Sequence, residues 1–341
     1  MMKFRKYLSL IIIACVVSFV PALAGNYNDS TKLAPKPHYG DEAKLVSQIL
    51  DTYHFKKIKL DDSLSSVILD EYITTLDNNK SYFLASDIAS FEKYRKVLDD
   101  LTKAGDLTPA YEIYDVFKQR FEERMAHVMN DLINNDFDYT IDESYNIDRS
   151  DSPWASSKAA LDELWRKVIK SQMLSLKLAG KETADRRDNI KKRYERFEKA
   201  ISQYKSDDIF ELYMNALAES FDPHTNYFSP KTADRFQQNM SLSLEGIGAR
   251  LQSDNDYTKV VQILPGGPAE KSDLIHENDR IIGVAQDEEE MVDVIGWRLD
   301  DVVQLIKGPK GTTVRLEILP AETGVNGPSE VITLQRDKIK L

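Results

Sequence analysis

The sequence predicts an α+β multidomain chain, an all-α amino-terminal region followed by a small α+β domain. Three observations carry this reading. Four of the fourteen glycines fall in residues 25–240 and ten in residues 241–341, and glycine punctuates turns but weakens helix interiors. Apolar residues step by threes and fours up to about residue 240, then by twos. Acidic charge gathers in the second part: residues 241–337 hold 18 acidic and 9 basic side chains, most of the net charge of −11.

A length of 341 residues suits two or three domains of roughly 100–200 residues each. With 42% apolar and 30% charged residues, there is material for real cores and no case for global disorder. The acidic balance argues against a nucleic-acid partner, which calls for a net positive face. Cys15 is the single cysteine, so no disulfide framework exists.

The elements follow in order. Residues 1–24 have the layout of a secretory signal peptide. Lys3, Arg5 and Lys6 precede an apolar stretch from Leu8 to Val20, then Pro21 and Ala22-Leu23-Ala24 before Gly25. The stretch is short for a membrane span of about 20 residues. Ile12-Ile13-Ala14-Cys15 is also a passable lipoprotein box, so membrane association would run through an uncleaved signal or a lipidated Cys15. Cleavage after Ala24 leaves a mature chain free of cysteine, suited to an oxidising compartment. An exported bacterial protein, periplasmic in location, is the expectation.

Residues 25–240 read as six to eight helices. Leu64, Val67, Ile68, Tyr72, Ile73 and Leu76 form one stripe, and Phe91, Tyr94, Val97, Leu98 and Leu101 a second. A third runs from Tyr114 through Phe117, Phe121, Met125 and Val128 to Leu132, with Pro109 just inside its start, where a missing N–H costs little. Further stripes pass through Leu161–Ile169, Ile190–Ile201 and Phe210–Phe221. The nine basic residues between Lys181 and Lys205 have five acidic neighbours and helical apolar spacing, which makes a solvated amphipathic helix. Trp154, Trp165 and Trp297 read as packing residues. Asp222-Pro223-His224-Thr225 reads as a turn with internal hydrogen bonds.

After about Ser241, runs at 259–264, 279–284, 313–319 and 331–334 read as strands bounded by glycine and proline. Short helices interrupt them near Ala269–Ser272 and Asp300–Lys307. Asp287-Glu288-Glu289-Glu290 is a solvated loop without a defined ligand geometry. No cofactor and no metal ligands are expected.

Gly246-Ile247-Gly248-Ala249 stands directly before a strand-like Arg250-Leu251-Gln252. Glycines flanking an apolar residue let successive N–H groups point into one concavity suited to a terminal carboxylate. A peptide held there can continue as an added strand along 249–252. Ile247, Ala249 and Leu251 share one side of that strand, with Val302 and Ile306, four apart, as the opposite wall and Tyr257 within reach. By itself the string also fits an ordinary glycine turn before a strand.

Four segments agree in order and spacing: Gly246-Ile247-Gly248-Ala249, Leu264-Pro265-Gly266-Gly267-Pro268-Ala269, Asn278-Asp279-Arg280-Ile281, and Ile306-Lys307-Gly308-Pro309-Lys310-Gly311-Thr312. They resemble the PDZ domain of bacterial C-terminal processing proteases, with Asn278 where that family usually has glycine. Asp62-Ser63-Leu64-Ser65-Ser66, Ser81-Tyr82-Phe83-Leu84, Phe221 to Pro230 and Met240 to Gly246 resemble the amino-terminal domain of the tail-specific (Tsp/Prc) branch. The resemblance implies a signal peptide over 1–24, a helical tail-specific-protease domain over 25–240 and a PDZ domain over 241–337, a small partly open β-barrel with two helices. It makes 338–341 the start of a catalytic core.

The same resemblance implies a serine endopeptidase with a Ser/Lys dyad placed after the PDZ domain, selecting periplasmic proteins by an apolar carboxyl terminus. It further implies that peptide binding shifts a resting-to-active equilibrium. The sequence ends at Asp337-Lys338-Ile339-Lys340-Leu341 with no serine in the family's nucleophile context. Ser157-Lys158 and Ser229-Pro230-Lys231 are neighbours in sequence only. No catalytic residue is therefore assigned, and the chain is expected to bind without cutting. The resemblance implies carboxyl-terminal segments of periplasmic proteins as its partners. The alternatives are a non-catalytic PDZ adaptor and an inert product of a disrupted gene.

Overall fold

The computed structural model describes residues 32–241, 243–324 and 327–340. The export signal and Cys15 lie outside the described residues.

The amino-terminal region is helical: α1 (Tyr39–Tyr53), α2 (Asp62–Asp77), α3 (Ala85–Phe91), α4 (Leu98–Ala104), α5 (Thr108–Asn130), α6 (Lys158–Leu178), α7 (Thr183–Ser202), α8 (Ser206–Phe221) and α9 (Pro230–Ser241). These nine, with two 3₁₀ turns at Glu92–Tyr94 and Leu132–Asn134, exceed the six to eight that periodicity suggests among the described residues. The additional helices have physical reasons to escape notice. The buried stripe of α1, Tyr39, Ala43, Ser47 and Leu50, is partly small or polar while Leu45, Ile49 and Tyr53 face outward, and on α9 Phe236 and Met240 are exposed, so neither helix shows a clean apolar stripe in sequence. The stripe from Phe91 to Leu101 is split between α3, a 3₁₀ turn and α4, because the chain breaks at Val97. There Ser65 Oγ on α2 accepts from the Leu98 N–H at 2.9 Å.

Local chemistry fixes several starts. Asp61 accepts from the Ser63 and Leu64 N–H groups ahead of α2, and Ser157 accepts from Ala160 ahead of α6. Pro109 occupies the first turn of α5. The core these helices enclose is aromatic, with Tyr72, Phe83, Tyr114, Phe117 and Phe121 buried. Two of its hydroxyls find partners, Tyr72 donating to the Ala110 carbonyl at 2.9 Å and Tyr213 pairing with Thr102 at 2.6 Å, while the Tyr114 hydroxyl has none among the described residues. Buried charge is paired as well, Arg124 with Asp162 and Lys170 with Glu143.

A sheet domain follows, built from β1 (Ser243–Gly246), β2 (Ala249–Asp254), β3 (Tyr257–Ile263), α10 (Pro268–Ser272), β4 (Arg280–Gln286), β5 (Val292–Asp293), α11 (Leu299–Ile306), β6 (Thr313–Leu319), β7 (Glu330–Gln335) and β8 (Asp337–Lys340). Five strands run in the antiparallel order β2-β3-β4-β6-β7, with β5 on β4. The outer strands β2 and β7 do not pair, so the sheet is open and no closed barrel forms. Residues 337–340 form a strand antiparallel to β1, with Gly246 opposite Asp337 and Ser243 opposite Lys340. Entry to and exit from the domain therefore lie side by side. The two regions meet through charge: Lys205 and Lys231 reach Asp301, Arg235 reaches Asp300 and Arg298 reaches Asp208. Among the described residues no helix is long and apolar enough to cross a membrane.

Candidate functional site

The glycine string lies between β1 and β2. Gly248 has φ +79°, and a Cβ there would sit 2.9 Å from the Gly267 Cα, so both conformation and space require glycine. The loop is pinned through its carbonyls, with Ala269 N–H donating to Ile247 O and Leu264 N–H to Gly248 O, each at 2.8 Å. Among the described residues the N–H groups of Ile247 and Gly248 meet no acceptor. They are available to an anion. Directly downstream, β2 is an edge strand whose free side has α11 as its neighbour. The stem of Lys307, at the end of α11, packs against Gly246, and its ammonium donates to Gln238 at 2.7 Å. Burial, more than the nearby Arg235 charge, pulls this lysine's pKa below its ordinary value.

The structure brings Gly246, Ile247, Gly248, Ala249 and Leu251 to one side and Val302 and Ile306 across from them. Ile247, Val302 and Ile306 belong to the domain's core, with Ala249 and Leu251 half-buried against it. Val302 is 0% exposed, whereas Leu299 and Val303, also four apart, are half-buried along the same helix. These two were missed from sequence, although they share the i, i+4 spacing. Tyr257 is not brought to the groove. It stands in β3 opposite Asp254, out of phase with buried Thr258 and Val260, so its ring lies on the outer face, 6.0 Å from the Arg280 guanidinium.

Arg336 was also missed. It follows β7 directly and is 3% exposed. Its guanidinium donates to the carbonyls of Ile306 (2.8 Å) and Leu305 (3.0 Å), to Gln286 Oε1 (2.5 Å) and to Thr312 Oγ1 (2.9 Å). A buried cation is thus satisfied by the negative end of α11 and by neutral oxygens, and burial lowers its pKa. The visible signal was an arginine in phase with the buried Ile332 and Leu334 of β7.

The remaining motifs have structural roles. Ser157 caps α6 while Lys158 pairs with Asp162, and Lys231 pairs with Asp301, so neither Ser–Lys neighbourhood is a dyad. Asp222 accepts from the His224 N–H at 2.9 Å and pairs with Lys56 at 2.6 Å. Lys56 and that backbone bond hold its carboxyl at about 2. Trp165 is buried and donates to Ser81 O at 2.7 Å. Trp297 departs from expectation, being 44% exposed. No group of three or more potential metal ligands occurs among the described residues.

Comparison with known families decides the kinship. Residues 46–231 match the family described as the tail specific protease N-terminal domain, and residues 236–319 match the PDZ domain. The chain belongs to the tail-specific protease family. The chain is 39% identical to the Haemophilus influenzae tail-specific protease, covering 100% of this chain and 50% of that protein. It is 32% identical to the Bacillus subtilis carboxy-terminal processing protease CtpA, over 40% of this chain and 28% of that protein. It thus spans half the length of the first relative and a smaller share of the second. A PDZ domain of a Vibrio cholerae carboxy-terminal protease, solved in complex with a peptide, is 59% identical with a TM-score of 0.28, over 29% of this chain and 100% of that one.

Proposed function

We propose that this chain is the substrate-recognition portion of a periplasmic tail-specific serine endopeptidase, and that it docks apolar carboxyl termini of exported proteins. The observation that carries the reading is the pair of N–H groups at Ile247 and Gly248, without acceptors among the described residues, at the head of a free edge strand. A terminal carboxylate accepts those bonds in charge-assisted form, with the Lys307 cation close by. The peptide then adds as a strand to β2, its last side chain between Leu251 and the Val303–Ile306 side of α11. A charged last residue would lose its hydration there without a partner, which disfavours it.

The test is fluorescence anisotropy of a labelled peptide with an apolar last residue, titrated with the chain. Binding should fall by at least about thirtyfold, roughly 2 kcal/mol, when the terminal carboxylate is amidated or the last residue is made aspartate. Gly248→Val should abolish binding while the helical region keeps its circular dichroism. Equal affinity for the acid and the amide would overturn the assignment.

A further inference from the structure

A cleft of about 840 Å³ separates α7 from the sheet domain. One wall is a single face of α7, on which Lys192, Arg196, Lys199 and Gln203 follow at helical spacing. The other is the β2–β3 hairpin turn at Ser253 and Asn255 together with Trp297 and Leu299 at the start of α11. Two contacts hold the walls in register: Lys199 pairs with Asp256 at 2.5 Å and Gln203 donates to the Gly296 carbonyl at 2.8 Å.

This cleft lies on the line of the groove. A strand antiparallel to β2, with its carboxylate at Gly246–Ala249, runs upstream toward Asp254 and the amino end of α11. The six residues of β2, at about 3.3 Å each, pair with roughly the last five residues of such a peptide. The next three or four then enter the cleft. We infer that the cleft is the upstream extension of the groove, a second recognition site contributed by the helical region, which takes the segment about six to nine residues from the substrate's end and favours acidic side chains there. This inference rests on the docking of a carboxyl terminus at Gly246–Ala249.

Charge and exposure argue for the occupant. The cleft's carboxylates are engaged, Glu195 with Lys191, Asp256 with Lys199 and Asp300 with Arg235, and Arg298 is committed to Asp208, but Arg196 is exposed and makes no ion pair among the described residues. Lys192 adds positive charge one turn away, its pair with Asp188 being fully on the surface. Trp297 presents an exposed ring to the same space. An extended acidic segment finds a cation and an aromatic face there, and meets lysines before the acidic body of the sheet domain. The basic run between Lys181 and Lys205, otherwise a solvated helix face, thereby gains a role.

The experiment measures affinity of the full chain for three peptides sharing one apolar tail: a five-residue peptide, a ten-residue peptide with glutamates at positions six to nine from the end, and the same peptide with lysines. The glutamate peptide should bind roughly three- to tenfold tighter than the five-residue one, and the lysine peptide no tighter, with the gap narrowing as salt rises. Arg196→Glu should leave the five-residue peptide unaffected and erase or reverse the preference. Trp297→Ala should weaken the long peptides alone. Equal affinity of the glutamate and lysine peptides would overturn the extension while leaving the groove intact. Failure of the five-residue peptide to bind would overturn the groove reading, and the extension with it.

Discussion

The helical region and the sheet domain solve opposite problems. The helices enclose a broad core rich in aromatic rings, and their buried cations Arg124 and Lys170 are paired with the carboxylates of Asp162 and Glu143. The sheet domain has a small aliphatic core around Val260, Ile281, Val302 and Leu316. It satisfies its buried cation, Arg336, with carbonyl and side-chain oxygens, and it leaves an edge strand and two loop N–H groups open. An unpaired edge is a liability in most folds. Here the larger region is closed on itself, and the smaller one keeps an edge strand and loop N–H groups whose hydrogen-bonding capacity is unused among the described residues.

That contrast can be broken by mutation. The largest expected effect is in the helical core. Phe83→Ala, at a ring packed edge-on against Phe91 at 5.5 Å, should cost about 3–5 kcal/mol of stability. Denaturant titration measures this, and amide exchange should show faster opening in α2, α3 and α5 with the sheet domain unaffected. Uniform loss of protection in both regions would mean they unfold as one.

Next is Arg336→Leu, which leaves the Ile306 carbonyl without its side-chain donor and the Leu305 carbonyl with Gln286 alone. About 1–3 kcal/mol should be lost, with amide exchange rising first in the last turn of α11. Unchanged protection there would refute the tie.

A smaller effect concerns the ionic contact between the regions. For Asp301, burial opposes ionisation, but hydrogen bonds from Lys205 and Lys231 outweigh it and lower the pKa. Its contribution is therefore present above the ordinary carboxylate range and lost as pH falls through the lowered value. Asp301→Asn should remove about 0.5 kcal/mol, since the pairs are partly screened, and should reduce the salt sensitivity of the contact. A denaturation midpoint that keeps its full salt dependence in the variant would show that the contact rests on packing.

The gentlest test is acid titration of the helical region. Hydrogen bonds from Arg166 and Lys170 hold the Glu143 carboxyl at about 2, below its ordinary 4.5. The stability it confers is complete above about 4.5 and disappears as pH falls toward 2. Glu143→Gln should therefore flatten the pH dependence of the melting temperature in that window. An unaltered slope would place the acid sensitivity elsewhere.

Much of this arrangement was legible in advance. Glycine distribution and the change of apolar period separated the helical region from the sheet region, and the spacing of Gly246 and Gly248 marked the loop that β2 follows. Less legible were elements whose apolar residues face outward. Leu45 and Ile49 on α1 and Phe236 on α9 are exposed, and the buried face of α1 includes Ala43 and Ser47, so the apolar pattern did not mark the buried side. Tyr257 misled because proximity along the chain does not fix a side chain's face. The two-residue period of β3 turns it away from the groove.

The sequence by itself determined what local chemistry controls: where helices give way to strands, which residue tolerates φ +79° at Gly248, and which family the chain belongs to. Only the tertiary structure decided what depends on contacts distant in sequence. It left β2 at the sheet edge, satisfied Arg336 with carbonyls some thirty residues earlier, laid Asp337–Lys340 against β1, and set α7 opposite the β2–β3 hairpin. The physical reason is that periodicity and backbone preference act over one or two turns of chain. Edge, burial and facing walls arise when separate segments compete for the same space.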